Sequence, residues 1–384
     1  MTPASEAELA EAVATAASRG TALRIRGGGT RAGLGRGPVG EVLQTSGLSG
    51  ISLYEPGALT IVAGAGTPLS DIQAALLAEN QRLPFEPMDH RVLYRTNGSP
   101  TIGGVVAAGA SGPRRIQAGA CRDSLIGVRL VTGTGEVVKN GGRVMKNVTG
   151  YDLVKLLAGS HGTLGIITEV AFKVLPAPEA AATVTLSGLD EVQAVGALTA
   201  ALGAPYEVSG AVHLPGDEAV TAVRVEGFEG SVAYRAERLT DILGAFGPVA
   251  VERDADRVAH FWERVRDLSA LAEGEGDMWR ISVRPSDGPR VVAALSHPPA
   301  VMDWGGGLVS IRPAAGTDVR AALSGIPGHA TLLRAEEATK ARFGVFEPEP
   351  APLARISAGL RGTFDPKGIL NPGLMAGPGA DIAA

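Results

Sequence analysis

The chain has 384 residues, of which 45% are hydrophobic and 20% are charged, and its formal net charge is −5. This composition suits two or three globular domains, and the negative charge argues against a nucleic-acid or membrane partner held by a broad basic face. The single cysteine, Cys121, excludes a disulfide framework and any zinc or iron–sulfur site built from cysteines.

The first segment, residues 1–13, is acidic and amphipathic and lacks the basic and apolar regions of a secretory signal. No apolar run reaches the roughly 18 residues of a membrane span, so we expect no transmembrane segment. These features predict a protein of the reducing cytoplasm.

The first zone of the chain runs to about residue 178 and contains most of the glycine-rich turns. Its pattern predicts a helix over 4–18, a strand over 22–26 and a helix that begins at Thr67 as the capping residue. Further strands are predicted over 42–45, 51–53, 59–63, the two arms of 125–140, and 164–178, with a short helix in 150–160.

The second zone, 179–350, alternates strands and helices at a spacing that predicts one α+β layer. Strands are predicted over 183–189, 219–228, 278–285 and 307–314, and helices over 190–202, 231–246 and 258–268. The last zone, 351–384, is a helix followed by a Pro/Gly turn and a tail.

Residues 23–35, LRIRGGGTRAGLG, place three glycines where a strand ends. Free amide groups in such a turn can bind an anion, so a phosphate is the first hypothesis. A P-loop needs a Gly-Lys pair, which the chain lacks, and the residues after the glycines are too rich in Gly and Pro for a Rossmann helix. A purely structural glycine turn remains the alternative.

Two more clusters of small residues follow the first. Residues 99–112 read SPTIGGVVAAGASG, and residues 146–169 read KNVTGYDLVKLLAGSHGTLGIITE. Three such clusters separated by strands indicate one long ligand that lies against the backbone. A dinucleotide of the size of FAD fits this better than a mononucleotide.

The motifs RGGGT, TIGG, KN-TGYDL and GS-GTLGIITE, in this order, resemble the FAD-binding domain of the vanillyl-alcohol oxidase / para-cresol methylhydroxylase (PCMH) superfamily. The resemblance covers residues 5–178 and the C-terminal FDPKGILNPG. GSHGTLG with His161, the strand MWRISVRP and the overall length more narrowly resemble the E-subunit family of bacterial glycolate oxidases.

The resemblance implies an α+β fold with three parts. Residues 1–178 would form a PCMH-type FAD-binding domain whose two subdomains divide near 75–95. Residues 179–350 would form an α+β cap domain, and 351–384 would return to the FAD domain.

The resemblance also implies which residues hold FAD. Backbone amides of the first loop would bind the pyrophosphate, TIGG would pack along the ribityl chain and the isoalloxazine, and GTLGII would flank the adenine end. The GYD turn and the NPG segment would complete the site, with turn and helix-capping roles as alternatives. The implied residues are Arg26, Gly27, Gly28, Gly29, Thr30, Thr101, Ile102, Gly103, Gly104, Gly150, Gly162, Thr163, Ile166, Ile167 and Asn371.

Non-covalent FAD is expected, because relatives that attach the flavin commonly use a histidine in the first loop, where this chain has Thr30. A valine at Gly28 is expected to fill the pyrophosphate position and abolish FAD binding.

Relatives that oxidise 2-hydroxy acids commonly carry a His-x-Gly-Asp-Gly-Asn-x-His stretch, which is missing here. HLPGDE at His213 is interpreted as a loop histidine, and the six histidines show no metal spacing, so no metal is expected. No catalytic residue is identified. His161 and Lys146 are candidates to approach the flavin.

Arg280 and Arg284 are the candidate substrate ligands. They alternate on one predicted strand and would face one side, where two guanidinium groups could hold a small carboxylate. The alternative is a solvated sheet face or an intersubunit salt bridge.

The resulting hypothesis is an FAD-binding subunit of a glycolate oxidase complex. It would work with a catalytic flavoprotein subunit and an iron–sulfur subunit on glycolate or a similar 2-hydroxy acid, in the cytoplasm with peripheral contact to the inner membrane through the complex. A scaffold subunit with an FAD-type fold and a free-standing FAD-dependent dehydrogenase are the alternatives.

Overall fold

The computed structural model describes residues 1–35, 39–142 and 150–375. The candidate Lys146 lies outside these ranges. The chain begins with helix α1 (Glu6–Arg19), which Ser5 caps by accepting a hydrogen bond from the amide of Glu8, and which buries Leu9 and Val13. Strand β1 (Leu23–Arg26) then pairs in parallel with β2 (Glu41–Gln44).

A five-stranded antiparallel sheet forms the centre of the first part, in the order β3-β4-β8-β6-β7. A two-stranded ribbon, β5 with β9, lies outside it. The bounds are β3 Ile51–Glu55, β4 Thr60–Gly64, β5 Gln81–Arg82, β6 Leu125–Val131, β7 Val137–Gly141, β8 Ile166–Lys173 and β9 Leu175–Pro176.

Helices cover the face of this sheet with apolar residues such as Leu76, Ile102 and Leu157. Their bounds are α2 Leu69–Ala78, α3 His90–Tyr94, α4 Ile102–Ala108, α5 Arg115–Ala118, α6 Cys121–Ser124 and α7 Leu153–Leu157. The expectation that Thr67 caps α2 is wrong. Its hydroxyl donates to the carbonyl of Gly64 (2.7 Å), and Pro68 is the capping position, without a side-chain bond.

An eight-stranded antiparallel sheet forms the second part, in the order β13-β10-β12-β11-β15-β16-β14-β17. Its bounds are β10 Ala180–Ser187, β11 Gly210–Leu214, β12 Val220–Gly227, β13 Val249–Glu252, β14 Met278–Val283, β15 Ala300–Asp303, β16 Leu308–Ile311 and β17 Gly328–Arg334. The residue pattern does not predict β11, β13, β15 and β17.

Helices pack on this second sheet, and its central strands are apolar on both faces, as expected for a covered sheet. The helix bounds are α8 Glu191–Gly203, α9 Glu229–Leu243, α10 Ala255–Arg266, α11 Ser269–Ala272, α12 Gly288–Ala294, α13 Val319–Ala322 and α14 Glu337–Phe343. All strands of the five-stranded sheet precede residue 178, and all strands of the eight-stranded sheet follow it. The domain boundaries themselves stay predictions.

A buried ion cluster joins the two parts. From the second sheet, Arg224 forms two hydrogen bonds of 2.8 Å with Glu86. Arg114 forms two with Glu226 (2.9 and 2.8 Å), and Arg82 adds a third contact with that carboxylate (2.7 Å). Such bidentate pairs hold two surfaces in one orientation.

The last helix, α15 (Ala351–Phe364), packs Leu360 and Phe364 against the first core. The chain then runs beside β1, where the amide of Leu23 donates to the carbonyl of Ile369 (2.7 Å). The C-terminal segment therefore contacts the strand that leads into the glycine loop.

Candidate functional site

A long cleft opens where β1, α4 and the turn before β8 meet. It encloses about 1230 Å³ of space, including open solvent at its mouth. Its walls are mainly backbone and small side chains, so a ligand here lies directly against the main chain.

The first wall is the glycine loop after β1. A Cβ on Gly28 would overlap the carbonyl oxygen of Ser99, and a Cβ on Gly98 would overlap the carbonyl oxygen of Gly28. The backbone of the glycine loop is therefore in direct contact with the backbone around Gly98 and Ser99. The expected reason for Gly28 is wrong in part, because its nearest neighbour is the chain itself and a valine there displaces the loop.

The second wall is the start of α4. The Thr101 hydroxyl accepts a hydrogen bond from the amide of Gly104 (3.3 Å) and caps the helix. A Cβ on Gly103 would come within 2.6 Å of the Ala65 side chain, so Gly103 brings helix and strand together. A Cβ on Gly104 would meet only the Thr101 hydroxyl, at 3.1 Å, and Gly104 therefore leaves room in the cleft itself.

The third wall is the turn before β8, where His161 and Gly162 both adopt positive φ (53° and 72°). Asn371 holds this turn to the first wall. Its Oδ1 accepts a hydrogen bond from the amide of Ile25, and its Nδ2 donates to the carbonyl of His161, both at 2.8 Å. One buried amide thus joins two walls of the cleft.

Most of the predicted FAD residues line this cleft: Arg26, Gly27, Gly28, Gly29, Thr30, Thr101, Gly103, Gly104, Gly162, Ile166, Ile167 and Asn371. Three do not line it. Ile102 is buried in the core, Thr163 donates its hydroxyl to the carbonyl of Ser160 (2.7 Å), and Gly150 is exposed at the start of α7. Asp152 caps α7, which confirms the structural alternative for the GYD turn.

A second cavity adjoins the cleft, between the first part and the face of the eight-stranded sheet. The pairing of the strands brings together the residues that form the floor of this cavity. Arg280 lies opposite Thr331 on one neighbouring strand and opposite Ser310 on the other. Ser310 is opposite Val301, and Asp303 projects from the same face two residues later. Arg31, His90 and His161 line both the cleft and the cavity.

Positive charge dominates the second cavity. Burial lowers the pKa of Arg280 to about 10, helped by the nearby Arg115 and Arg31. Both Arg280 and Arg115 lie over the ring of Trp304, at 5.3 and 4.6 Å from its centroid. Burial also lowers the pKa of Arg31.

Asp303 is the acidic group that faces these cations in the cavity. Burial raises its pKa to about 7, against the opposing effect of the hydrogen bond that its carboxylate accepts from the amide of Trp304 (2.7 Å). Near neutral pH this carboxyl group therefore exists in both protonation states.

The two histidines at the junction are neutral. Burial and the charge of Arg31 lower the pKa of His161 to about 3, and the same two causes lower that of His90 well below its usual value. The ring of His161 packs at 5.0 Å from that of Phe346. His161 also lines the cleft, where the sequence places it as a candidate to approach the flavin.

Two sequence predictions about side chains are wrong. Arg284 follows the end of β14, lines neither cavity, and pairs with Asp287 (2.9 Å) with its side chain 70% exposed, so it shares no strand face with Arg280. His213 is fully buried on β11 and bonds the Thr221 hydroxyl (3.0 Å), so it is not a loop histidine. The first error comes from a misplaced strand end, and the second from strand β11, which the residue pattern does not predict.

The sequence singles out three residues of the second cavity: Arg280, His161 and, as a source of charge beside the glycine loop, Arg31. The other residues of the cavity were missed. Arg31, His90 and Asp303 come from three distant segments, and only β15, which the pattern did not predict, places Asp303 beside Arg280. Among the described residues, no cluster of three or more histidine, cysteine, aspartate or glutamate side chains has the arrangement of a metal site.

The cleft fits a dinucleotide such as FAD. It is long, its walls are backbone, and the Nε of Arg31 is buried beside it without a hydrogen-bond partner. A buried guanidinium nitrogen without an acceptor is costly, and a phosphate or a flavin oxygen is an acceptor of the right kind.

Known proteins resemble the chain over its whole length. Residues 1–141 match the family described as FAD binding domain. The glycolate oxidase subunit GlcE of Escherichia coli (strain K12) is 36% identical over 369 residues, which cover 96% of both chains. D-lactate dehydrogenase of Anaerostipes hadrus is 37% identical over 155 residues, 39% of this chain and 31% of its own.

The solved structure of p-cresol methylhydroxylase with substrate bound has the same fold, with a TM-score of 0.73 at 12% identity over 98% of this chain and 88% of that one. The predicted α+β fold, with a PCMH-type FAD-binding domain and a cap, is confirmed, as is FAD as the cofactor. The chain therefore belongs to the family of FAD-dependent oxidoreductases that includes the glycolate oxidase subunit GlcE.

Proposed function

We propose that the chain is the FAD-binding subunit of a glycolate oxidase complex, acting in the oxidation of glycolate or a similar 2-hydroxy acid to the 2-oxo acid. The observation that carries this is the backbone-lined cleft in a chain that aligns with GlcE over 96% of its length. Bound FAD would supply a two-electron acceptor for such a substrate.

The chain's own residues would bind and orient the cofactor. We assign the pyrophosphate to the loop Gly27–Thr30 with Arg26, and the ribityl and flavin portion to the wall that carries Gly103 and Gly104. Ile166 and Ile167 would pack at the adenine end, and Asn371 would fix the relative position of the loop and the third wall.

Non-covalent attachment is part of the proposal, since the first loop carries Thr30 where a histidine would be needed. His90 and His161 are nevertheless imidazoles in the lining of the cleft. Acid precipitation decides the point, because a non-covalent flavin passes entirely into the supernatant.

The proposed partners are a catalytic flavoprotein subunit and an iron–sulfur subunit. The relative is named as a subunit, and the one cysteine here, Cys121, is buried with a pKa that burial raises, so it is poorly suited to bind iron. We place the complex in the cytoplasm, in peripheral contact with the inner membrane. Within the described residues, no helix has the length and apolar character needed to cross a bilayer.

The second cavity argues against the alternative that the chain is a scaffold subunit. A scaffold subunit has no need for a charged cavity beside its cofactor cleft, whereas a chain with its own substrate site does. We therefore favour a subunit that handles the acid itself over a scaffold subunit.

The test is an absorbance spectrum of the purified chain, alone and co-purified with its partner subunits, before and after anaerobic glycolate. We expect a flavin spectrum that glycolate bleaches in the complex. A chain that carries no flavin in either preparation would overturn the proposal.

A further inference from the structure

The second cavity contains guanidinium groups that have no counter-charge in contact with them. Among the described residues, Arg280 makes no hydrogen bond and no ion pair. Its guanidinium group lies over the ring of Trp304. The Nε of Arg31 is likewise buried without an acceptor.

Other arginines with buried or partly buried side chains pair with carboxylate groups. Arg224 and Arg114 each form bidentate bonds with a glutamate, and Arg266, which lines the same cavity, forms two bonds with Asp267 (2.8 and 2.7 Å). Burying a charge without a partner is strongly unfavourable. Arg280 and its neighbour Arg115, both partly buried over Trp304, lack such a partner, which indicates an anion that the protein binds.

The surroundings of Arg280 define the size and shape of that anion. Ser310 and Thr331 lie opposite Arg280 on the two neighbouring strands, and both line the cavity. Apolar side chains close the remaining walls and leave a compact space that suits a short acid: Leu34, Met88, Leu308, Leu333 and Phe346.

The carboxyl group of Asp303 adds a second polar contact on the same sheet face. Trp304 occupies one of its oxygens through the backbone amide, and the side chain still lines the cavity. The charged groups nearest to it are Glu86 from the first part, Arg224 from β12 and Arg280 from β14. A neutral carboxyl group there can donate a hydrogen bond to a bound anion or hydroxyl.

We propose that the second cavity is a binding site for a small 2-hydroxy monocarboxylate, in which Arg280 and Arg31 bind the carboxylate and Asp303 bonds the hydroxyl group. This site lies in the present chain, next to the cofactor cleft, and needs no histidine motif. It rests on the proposed function for the identity of the neighbouring cofactor and for the 2-hydroxy class of the acid.

Arg280 distinguishes this site from a flavin site. Arg31 lines both spaces and is available to the cofactor, whereas Arg280 lines only the second cavity. If Arg280 served the flavin, its loss would weaken FAD binding and leave the affinity for acids unchanged. If it serves the acid, the opposite holds.

The experiment measures acetate and glycolate binding to the purified full-length chain by calorimetry, with flavin content determined on the same samples. Acetamide is the uncharged probe. We expect Arg280→Met to weaken acetate binding at least tenfold with flavin content unchanged, and Arg280→Lys to retain part of it. Arg284→Met is the matched control, since Arg284 lies outside both cavities, and it should bind like the natural chain.

Asp303→Asn tests the second contact. The amide keeps the oxygen that accepts from Trp304 and, like the neutral carboxyl group, can donate to the ligand. The fold should therefore survive, glycolate should keep its advantage over acetate, and the affinity should no longer fall as the pH rises. Equal acetate affinity in Arg280→Met and the natural chain, or binding of acetamide as tight as that of acetate, would overturn the proposal. If the chain lacks flavin, the same titrations on the apo protein still test acid binding in the second cavity. The flavin content then reports on the proposed function, and the acid affinity reports on this proposal.

Discussion

The cofactor cleft and the second cavity lie side by side but are built in different ways. Backbone and small residues form the cleft, in three segments that each lie within one run of sequence. Side chains form the cavity, and they come from segments as distant as Arg31 and Phe346. The charged residues that line the cleft are arginines, whereas the cavity combines arginines with the carboxyl group of Asp303.

This difference has an energetic consequence. A backbone wall depends on close contact between loops, so any added atom there changes the fold itself. A side-chain wall depends on charge, so an isosteric change there alters affinity and leaves the fold intact. The predictions below test that distinction and the ion cluster that joins the two parts, from the largest expected effect to the smallest.

Gly28→Val should abolish flavin binding and lower stability severely, because the new side chain overlaps the carbonyl of Ser99. We expect a loss of several kcal/mol, at or beyond the upper range of about 1–3 kcal/mol for overpacking. The measurement is urea unfolding of the apo protein. An apo protein of unchanged stability would mean that Gly28 faces only the ligand.

Glu226→Gln should cost about 3–5 kcal/mol, because it removes the carboxylate that pairs with Arg82 and one of the two that pair with Arg114. Glu207→Gln is the control, since Glu207 is 75% exposed in its pair with Arg235 and should cost less than about 1 kcal/mol. Chemical denaturation compares the two. Similar losses of unfolding free energy in the two variants would show that the cluster contributes little to stability.

The same cluster predicts acid sensitivity. Burial alone would raise the pKa of Glu226, but Arg224, Arg114 and Arg82 outweigh it and hold the pKa below its usual range. A lowered native pKa means that the stabilisation is complete above the unfolded pKa of roughly 4.3 and is lost as the pH falls through the native value. The natural chain should therefore lose stability below about pH 4 more steeply than Glu226→Gln.

Asn371→Ala should cost about 2–4 kcal/mol, because the amide of Ile25 and the carbonyl of His161 each lose a buried partner. Asn371→Asp keeps the acceptor for Ile25 and loses the donor to His161. Stability should be measured with and without FAD. A variant that is stable but binds flavin weakly would show that Asn371 acts on the ligand alone.

Gly104→Ala should reduce FAD affinity about tenfold and leave the apo protein as stable or more stable. The added methyl group meets only the Thr101 hydroxyl and projects into the cleft, while alanine favours the helix by about 1 kcal/mol. Gly359→Ala, in the open on α15, should gain stability without affecting the flavin. Equal FAD affinity in Gly104→Ala and the natural chain would show that FAD does not contact the start of α4.

Acid binding in the second cavity should weaken as the pH rises above 7. The pKa of Asp303 is about 7, so its carboxyl group is neutral below that pH and repels an anion above it. The expected loss is at most about tenfold per pH unit, measured by acetate titration. Asp303→Asn should show a flat profile, and an unchanged slope would assign the titration to another group.

The sequence predicted the cleft well because each wall is local. Gly27, Gly103 and Gly162 each lie in a motif that can be read in one place, and the family resemblance orders the three motifs. The cavity could not be predicted in this way. Asp303 and Arg280 become neighbours only through the pairing of β15 with β16 and of β16 with β14, and β15 is a four-residue strand without a clear pattern.

Arg284 and Thr67 show the same limit at smaller scale. A strand that ends one residue early removes Arg284 from the sheet face, and a hydroxyl that turns back to Gly64 leaves a helix without the expected cap. Element ends depend on local competition between hydrogen bonds, which the residue pattern alone does not resolve.

The bond between Asn371 and Ile25 spans 346 residues of chain. During synthesis at about 5–20 residues per second, the glycine loop would wait roughly 20 to 70 s for the residue that fixes it to the third wall. A nascent chain therefore has its glycine loop but no complete cleft. Flavin loading becomes a late event that follows translation, and bound flavin marks a finished chain.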